Sequence, residues 1–213
     1  MCHLSDPATT RIVVATGNDG KMREFARILQ PLGLIICKAS EMGIDWMPEE
    51  TGNTFEDNAI LKATQIHQAF PPEIRLGSIV LADDSGLEVD ALDGAPGVFS
   101  ARYGGPGFSD LDRCTRLLQD LAEVPEPQRT ARFRCVIAAL MTDGSVILAR
   151  GSCPGSIGRA PEGEGGFGYD PIFLPEGFGG RTMAQLAPGE KDDISHRGQA
   201  LKELLRVLTG EMT

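Results

Sequence analysis

The sequence predicts an α/β fold with a mixed β-sheet, and three patterns support this prediction. In the N-terminal part, short apolar runs alternate with longer stretches whose apolar residues recur at helical spacing. Residues 78–82 form an apolar run rich in branched side chains, which suits a strand buried on both faces of a sheet. Asp143-Gly144 separates two later apolar runs and is typical of a tight hairpin turn. Because a hairpin joins antiparallel strands, the predicted sheet is mixed.

The elements before residue 78 alternate between strand and helix. The predicted strands are residues 11–15 and 34–37, and a helix over residues 20–30 lies between them. Thr54 opens a second helix, which is expected to reach residue 70. Its predicted core face consists of Phe55, Ala59, Ala63, Ile66 and Phe70.

The elements after residue 82 are less regular at first. The glycine-rich residues 93–108 predict little regular structure, and Ser109 is expected to cap a third helix that the following prolines end. The apolar stripe of that helix is predicted to be Leu111, Cys114, Leu117, Leu118 and Leu121. Hairpin strands at 132–142 and 145–150 and a closing helix at 194–208 complete the fold. Leu201, Leu204, Leu205 and Leu208 recur at helical spacing in the closing helix.

The composition indicates a soluble globular protein. The chain has 213 residues, 41% of them hydrophobic, and residues 11–213 are expected to form one domain after a flexible N-terminal extension, residues 1–10. A formal net charge of −10 argues against a broad surface for duplex nucleic acid. The sequence shows neither a signal peptide nor an apolar run near the roughly 20 residues that span a bilayer, so we expect a cytoplasmic protein without membrane contact. The five scattered cysteines are expected to be reduced, buried thiols.

Two adjacent carboxylates, Asp83 and Asp84, follow the predicted strand at residues 78–82. Neighbouring carboxylates repel unless a cation lies beside them, and hard oxygen ligands suit Mg²⁺ or Mn²⁺. The alternative is a polar turn without a ligand. Glu49 or Glu50 could complete an oxygen-rich cation site if their loop folds back against the two aspartates. Capping of the second helix explains the glutamates equally well.

The loop between the first strand and the first helix predicts an anion site. It consists of Thr16, Gly17, Asn18, Asp19, Gly20 and Lys21. Free backbone amides and the helix dipole at such a position favour a phosphate. The loop is not a P-loop, because Met22 stands where a metal-binding hydroxyl would follow the lysine. A structural turn with a solvated lysine is the alternative. Asn58 and Lys62, one turn apart on the second helix, could face the same cleft or lie on a solvated helix face.

Two C-terminal clusters carry groups that suit a flat, polar ligand. The first contains Phe167, Gly168, Tyr169 and Asp170 among further glycines, so that an aromatic ring could stack on a base while Asp170 or backbone groups contact its edge. The second cluster groups the donors Lys191, His196 and Arg197 near the closing helix. A core aromatic beside a turn and a polar helix cap are the respective alternatives. None of the three histidines lies in a nucleophile motif, so metal-activated water is favoured over covalent catalysis.

The motifs together resemble one family. The segments are TGNDGK at 16–21, EETGNTF at 49–55, ADDSG at 82–86, GAPGVFSAR at 94–102, GGFGYDP at 165–171 and ISHR at 194–197. In this order, from about residue 11 to 208, they resemble the inosine triphosphate pyrophosphatase (Ham1-like) family, most closely its bacterial members that hydrolyse dITP, ITP and XTP. The resemblance implies a long mixed sheet flanked by helices, with two lobes around a central nucleotide-binding cleft. It also implies a homodimer and hydrolysis between the α- and β-phosphates with Mg²⁺, or alternatively Mn²⁺.

The resemblance also implies roles for individual residues. Asp84 would be a metal ligand and the proton acceptor, Asp83 and one glutamate would support the cation, and Glu50 is favoured over Glu49. Lys21 would add catalytic positive charge at the triphosphate, which the whole loop at 16–21 would bind. Ser85 would contact the nucleotide, and the base would be read by Phe167, Gly168, Tyr169, Asp170, Lys191, His196 and Arg197.

Two other functions fit parts of the same pattern. A pyrophosphatase for modified pyrimidine or methylated nucleotides would share the phosphate apparatus, but the donor block Ser195-His196-Arg197 argues against it. A nucleotide-binding regulatory module without turnover would not need a spare carboxylate base, so Asp83 and Asp84 together with Lys21 disfavour it.

Overall fold

The structure is a computed structural model that describes residues 11–210, and its strands form one six-stranded mixed sheet. The strand order is β2-β1-β3-β4-β5-β6. Strand β1 pairs in parallel with β2 and β3, whereas β5 pairs antiparallel with β6. The predicted α/β class with a mixed sheet is therefore confirmed. The proposed N-terminal extension, residues 1–10, lies outside the described residues.

The described elements are six strands and six α-helices. The strands are β1 (Arg11–Val14), β2 (Ile35–Lys38), β3 (Ser78–Val89), β4 (Thr130–Leu140), β5 (Val146–Ile157) and β6 (Phe173–Pro175). The helices are α1 (Asp19–Leu29), α2 (Phe55–Ala69), α3 (Pro72–Arg75), α4 (Asp110–Asp120), α5 (Pro188–Ile194) and α6 (His196–Thr209). Short 3₁₀ helices include Gly97–Arg102 and Asp170–Ile172.

Strand β3 is much longer than the sequence predicts. Its expected end was residue 82, but it continues to Val89, so Asp83 and Asp84 lie inside the strand and not beyond it. Both carboxylates are buried, and each lies against a lysine from another element. Charges are tolerated inside a sheet when they are paired in this way. The strand prediction was wrong at this end because those partners are distant in sequence.

The chain divides into two compact units. The first takes the described residues up to Asp84, Val136–Arg150 and the residues from Ala200 onward. In its core lies the predicted apolar face of α2, and all five of its members are buried. Thr54 caps α2 by accepting a hydrogen bond from the Asp57 N–H, as predicted. Leu208, expected on the apolar stripe of the closing helix, is 39% exposed near the end of α6.

The second unit takes Ser85–Cys135 and Gly151–Gln199. Its core gathers residues from β3, α4, β4, β5 and β6, among them Leu87, Leu117 and Phe173. Ser109 caps α4 and exchanges hydrogen bonds with Asp112 in a capping box. Leu111 is 61% exposed, so its predicted place on the apolar stripe is wrong. It lies in the first turn of α4, where only the following turns bury the stripe.

Gly86 is required by a close approach of two backbone segments within the second unit. A Cβ atom at Gly86 would lie 2.2 Å from the Gly97 carbonyl oxygen and 2.6 Å from Ser100 Oγ. That hydroxyl accepts the Leu87 N–H at 2.9 Å and donates to the Gly97 oxygen at 2.6 Å. These hydrogen bonds hold the 3₁₀ helix Gly97–Arg102 against β3, and they leave no room for a side chain at position 86.

We expect Gly86→Ala to lower the free energy of unfolding by about 2–3 kcal/mol, because backbone atoms must separate to admit the methyl group. Gly77→Ala, just before the start of β3, is the matched control, since a Cβ there would meet nothing within 4 Å. Urea unfolding of both variants measures the difference. Equal midpoints for the two variants would contradict the close-approach argument.

The cysteines follow the prediction only in part. Cys114, Cys135 and Cys153 are buried thiols outside any disulfide bond, as expected. Cys37 is buried but disulfide-bonded, so the prediction of a reduced thiol is wrong for this residue, and Cys2 lies outside the described residues. Within residues 11–210, no helix is long and apolar enough to cross a membrane.

Candidate active site

The loop after β1 forms an ordered turn at the start of α1, in the first unit. Asn18 caps the helix, since its Oδ1 accepts the Lys21 N–H at 3.0 Å. The Asn18 N–H donates in turn to Thr16 Oγ1 at 3.1 Å, and Thr16 is buried. Asp19 is exposed and pairs with Lys38 at 2.6 Å, and this hydrogen bond lowers the pKa of Asp19. The side chains of Asn18 and Asp19 thus have structural partners. An anion would therefore bind at the N-terminus of α1 and not at these side chains.

Lys21 lies against the first of the two aspartates. Its Nζ atom is 2.9 Å from Asp83 Oδ2, and the Asp83 side chain is 1% exposed. The sheet register explains the meeting: Val14 lies beside Leu81 in the parallel pair β1–β3, and the Ala15 N–H donates to the Leu81 oxygen at 2.7 Å. The loop that follows β1 therefore runs alongside the residues that follow Leu81.

Asp84 is held by two side chains of α2. Its Oδ2 accepts a hydrogen bond from Asn58 Nδ2 at 3.0 Å, and its Oδ1 lies 3.2 Å from Lys62 Nζ. The Lys62 ammonium also lies 2.8 Å from Glu50 Oε1, while Asn58 Oδ1 accepts the Gly52 N–H at 2.8 Å. The structure thus places Asn58 and Lys62 on Asp84 and not on a solvated helix face. Both are buried.

Burial and charge act in opposite directions at this cluster. Burial raises the pKa of Asp84, and the cations Lys62 and Lys21 together with the Asn58 amide offset only part of that rise. Burial alone would lower the pKa of Lys62, but the nearby carboxylates Asp84, Asp83 and Glu50 outweigh it, so the pKa lies above its ordinary value. The lysine is accordingly charged, and it balances Asp84 and Glu50 electrostatically.

The donor set suits a hard cation that shares its ligands with a substrate. Among residues 11–210, no three acidic, histidine or cysteine side chains are grouped as a protein-only metal site. Glu50 and Asp84 nevertheless converge on one ammonium nitrogen, and Asp83 lies beside them in sequence. Mg²⁺ commonly takes one or two carboxylates and completes its shell with water and substrate phosphates. Glu49 is exposed, whereas Glu50 is partly buried within the cluster.

A second group of predicted residues surrounds Phe167 in the second unit. Lys191 Nζ lies 4.7 Å from the centroid of the Phe167 ring, and Arg197 Cζ lies 5.8 Å from it. Lys191 forms a buried ion pair with Asp170, whose Oδ2 also accepts the Phe167 N–H at 2.8 Å. Two cations and one carboxylate therefore hold the aromatic ring in a defined place.

Ser85, His196 and Arg197 lie in the same unit with defined partners. Arg197 is 1% exposed and donates from Nη2 to Ser85 Oγ at 2.9 Å. The imidazole of His196 stacks on the Phe133 ring, with 4.7 Å between centroids and an angle of 13° between planes. Their donors are thus fixed by packing before any ligand arrives, as recognition of a small acceptor group requires.

Tyr169 belongs to the core of the second unit. Its ring is buried, and its hydroxyl donates to the Ser100 carbonyl oxygen at 2.9 Å. Burial raises the pKa of this phenol far above its ordinary value. Of the two aromatics that the sequence offered for stacking on a base, only Phe167 is partly exposed.

Sequence reasoning missed three residues that support this group. Phe133 lies under His196, Ser100 accepts the Tyr169 hydroxyl, and Asp110 accepts the Gly168 N–H at 2.7 Å. Each partner is dozens of residues away along the chain. The only local signal is that Asp110 follows the capping serine of α4, and that position already has an explanation as a helix start.

The comparisons with known proteins agree with these motifs. The Ham1 family model matches residues 12–207. A protein of Shigella flexneri named dITP/XTP pyrophosphatase is 49% identical over 200 residues, which are 93% of this chain and 98% of that protein. A protein of the same name from Desulforamulus reducens is 47% identical over 198 residues, covering 93% of this chain and 95% of that protein.

The fold agrees with a solved structure as well. The HAM1 protein from Coxiella burnetii matches with a TM-score of 0.81 at 41% sequence identity, covering 95% of this chain and 100% of that one. Both the sequence motifs and the α/β architecture therefore have close counterparts. The chain belongs to the Ham1 family, which confirms the resemblance inferred from its motifs.

Proposed function

We propose that this chain is a nucleoside triphosphate pyrophosphatase that converts dITP, ITP and XTP into nucleoside monophosphate and pyrophosphate and so removes deaminated purines from the nucleotide pool. The observation that carries the proposal is the buried cluster at Asp84, where Asn58 and Lys62 hold a carboxylate in a chain whose relatives bear this enzyme's name. A hydrolase needs such a positioned proton acceptor, whereas a binding module does not.

The triphosphate is bound by the residues around the start of α1. The backbone N–H groups of the loop at residues 16–21 and the dipole of α1 attract the phosphates. Lys21 adds a fixed positive charge, which Asp83 holds in place at 2.9 Å. Because negative charge shifts onto the leaving pyrophosphate during the reaction, this lysine stabilises the transition state as well as the bound substrate.

Asp84 accepts the proton of the attacking water. The oxygen of that water forms the new bond to the α-phosphorus, and the bond to the bridging oxygen breaks as pyrophosphate leaves. Asp84 and Glu50 would bind Mg²⁺, with Mn²⁺ as an alternative and Asp83 as a supporting carboxylate, and the ion would supply charge neutralisation and a more acidic water. Lys62 and Asn58 orient Asp84, since each contacts a different oxygen of its carboxylate.

The base is recognised by the group around Phe167. The ring provides a flat face, and Lys191, His196 and Arg197 supply donors for the 6-oxo group of hypoxanthine or xanthine. The 6-amino group of adenine is itself a donor, so it would leave buried donors unpaired. Such mismatches allow strong rejection. Gly168, Tyr169 and Asp170 act by holding the turn that carries Phe167.

The family resemblance supports three further parts of the proposal. The protein acts as a homodimer, it resides in the cytoplasm, and residues 11–213 serve as one functional domain. The acidic net charge of −10 is consistent with a small-molecule substrate and with no nucleic-acid partner.

We expect pyrophosphate release from ITP, XTP and dITP to exceed release from ATP, GTP and dUTP by about 100-fold or more in kcat/KM. The assay compares the six nucleotides with Mg²⁺, with Mn²⁺ and with EDTA, and it measures pyrophosphate separately from orthophosphate. EDTA should abolish turnover. Release of orthophosphate would contradict the bond assigned, and preference for dUTP would contradict the base recognition. Nucleotide binding without turnover would indicate a regulatory module.

A further inference from the structure

The turn that carries Phe167 is held by hydrogen bonds within the turn and from α4. Within it, the Phe167 N–H donates to Asp170 Oδ2 at 2.8 Å. From α4, Asp110 Oδ2 accepts the Gly168 N–H at 2.7 Å, and the Cys114 thiol donates to the Gly168 oxygen at 3.4 Å. Helix α4 therefore contacts both backbone polar groups of the residue that follows Phe167.

Because this turn is rich in glycine, it needs contacts from other elements to keep one conformation. Gly166 and Gly168 have φ angles of +74° and +62°, in the left-handed region that glycine adopts freely. A Cβ atom at Gly166 would lie 1.9 Å from Asp170 Oδ2, so no larger residue fits there. A chain with this freedom populates many conformations unless partners select one. The position of the Phe167 ring consequently depends on contacts from outside the turn.

Asp110 is not needed to start α4. Ser109 and Asp112 already form the capping box, in which Asp112 Oδ2 accepts the Ser109 N–H at 2.9 Å. Asp110 instead accepts from Gly168 with one oxygen and from the Arg113 guanidinium with the other. Arg113 also donates to the Phe108 oxygen at 2.6 Å, which fixes the guanidinium and hence the carboxylate.

We propose that Asp110 is a positioning residue for base recognition, which it supports by holding the Gly168 N–H and thereby the Phe167 ring. The inference rests on the proposed function, because it takes the group around Phe167 as the site of the purine base. Phe167 lies beneath two buried cations, Lys191 and Arg197, whose places are set by other elements. Without Asp110, the ring and these donors no longer keep one relative geometry, so the base binds more weakly while the phosphate chemistry is untouched.

The test compares Asp110→Ala, Asp110→Asn and the control Asp112→Ala. Both alanine variants remove a carboxylate from the first turn of α4, but only Asp110 contacts the turn around Phe167. Calorimetry with Mg²⁺ measures the Kd of inosine monophosphate, which carries the base. Steady-state assays give kcat and KM for ITP and the inhibition constant of inorganic tripolyphosphate, which carries no base. Thermal unfolding gives the Tm of each protein.

We expect Asp110→Ala to weaken the binding of inosine monophosphate and to raise the KM of ITP by about fivefold to tenfold, the effect of losing one hydrogen bond of ordinary strength at a half-exposed carboxylate. We expect kcat and tripolyphosphate inhibition to change by less than about twofold, since neither depends on the base. Asp110→Asn should restore most of the affinity, because the amide oxygen still accepts the Gly168 N–H. Asp112→Ala should lower the Tm about as much as Asp110→Ala does, but it should leave the Kd of inosine monophosphate unchanged.

Three other results would overturn the inference. If both alanine variants weaken the binding of inosine monophosphate equally, Asp110 is a purely structural residue. If the Kd is unchanged in Asp110→Ala, Asp110 has no positioning role in base recognition. Failure of the wild-type protein to bind inosine monophosphate would remove the base site itself. If the wild-type protein binds inosine monophosphate but does not hydrolyse ITP, the proposed function fails, whereas the Kd values still decide the inference. Asp110→Ser, too short to reach Gly168, replaces Asp110→Ala if that variant does not fold.

Discussion

Asp84→Asn is expected to reduce the turnover of ITP by about 10³-fold, the usual scale for loss of a general base. Asparagine has the same shape as aspartate, but its amide cannot take a proton from water. Lys62 retains Glu50 at 2.8 Å as a partner, so the buried ammonium stays compensated and the fold should persist. Calorimetry with ITP and Mg²⁺ should show that the nucleotide still binds, within about tenfold of the wild-type affinity.

The two glutamates provide an internal comparison for the same site. Glu50→Gln should lower turnover strongly, because Glu50 shares the Lys62 ammonium with Asp84, whereas the exposed Glu49→Gln should change it by less than about twofold. Unchanged turnover in Asp84→Asn would remove this residue from the role of proton acceptor. Equal losses in the two glutamine variants would contradict the choice of Glu50.

The parts of the fold that follow from local patterns could be predicted from the sequence. The helical period of α2 identified five core residues that are all buried, and Ser109 marked the start of α4. The end of β3 was missed because Asp83 and Asp84 are unfavourable in a strand unless lysines from α1 and α2 compensate them. Such compensation depends on tertiary contacts, which no local pattern records. β6 was missed because three residues are too few to show a period.

The same limit applies to the candidate site. Residue types and spacing predicted a set of candidate residues, but they could not assign Phe167 and Tyr169, two residues apart, to different surroundings. The hydroxyl of Tyr169 finds the Ser100 carbonyl and the ring joins the core, whereas Phe167 remains partly exposed beneath two cations. Asn18 could likewise be placed in the phosphate loop, but only the structure shows that its side chain caps α1. The sequence thus supplies candidate residues, whereas the orientation of their side chains depends on tertiary contacts that local patterns do not show.

Lys191→Met is expected to lower the free energy of unfolding by about 3–5 kcal/mol, because it leaves the buried Asp170 carboxylate without its ammonium partner. Lys191 and Asp170 are 5% and 3% exposed, so water cannot replace the lost charge. The variant also loses the cation above Phe167 and, with it, the donor that we propose for the 6-oxo group. The KM of ITP should therefore rise as the stability falls, and the assay must separate these two effects.

The double variant Lys191→Met/Asp170→Asn separates them. It removes both charges of the buried pair, so the Tm should return most of the way to that of the wild-type protein, since neutral replacement of a buried ion pair is often tolerated. The Asp170→Asn side chain can still accept the Phe167 N–H and keep the turn in place. Base recognition should stay impaired, with a kcat/KM for ITP about 100-fold below wild type, because the donor that we propose for the 6-oxo group is still missing. Lys202→Met, at an exposed lysine of α6, is the control for loss of one positive charge.

Two results for the double variant would contradict this interpretation. Recovery of both the Tm and the kcat/KM would show that Lys191 serves the fold alone. Recovery of neither would show that Asp170 requires its charge for more than its pair with Lys191.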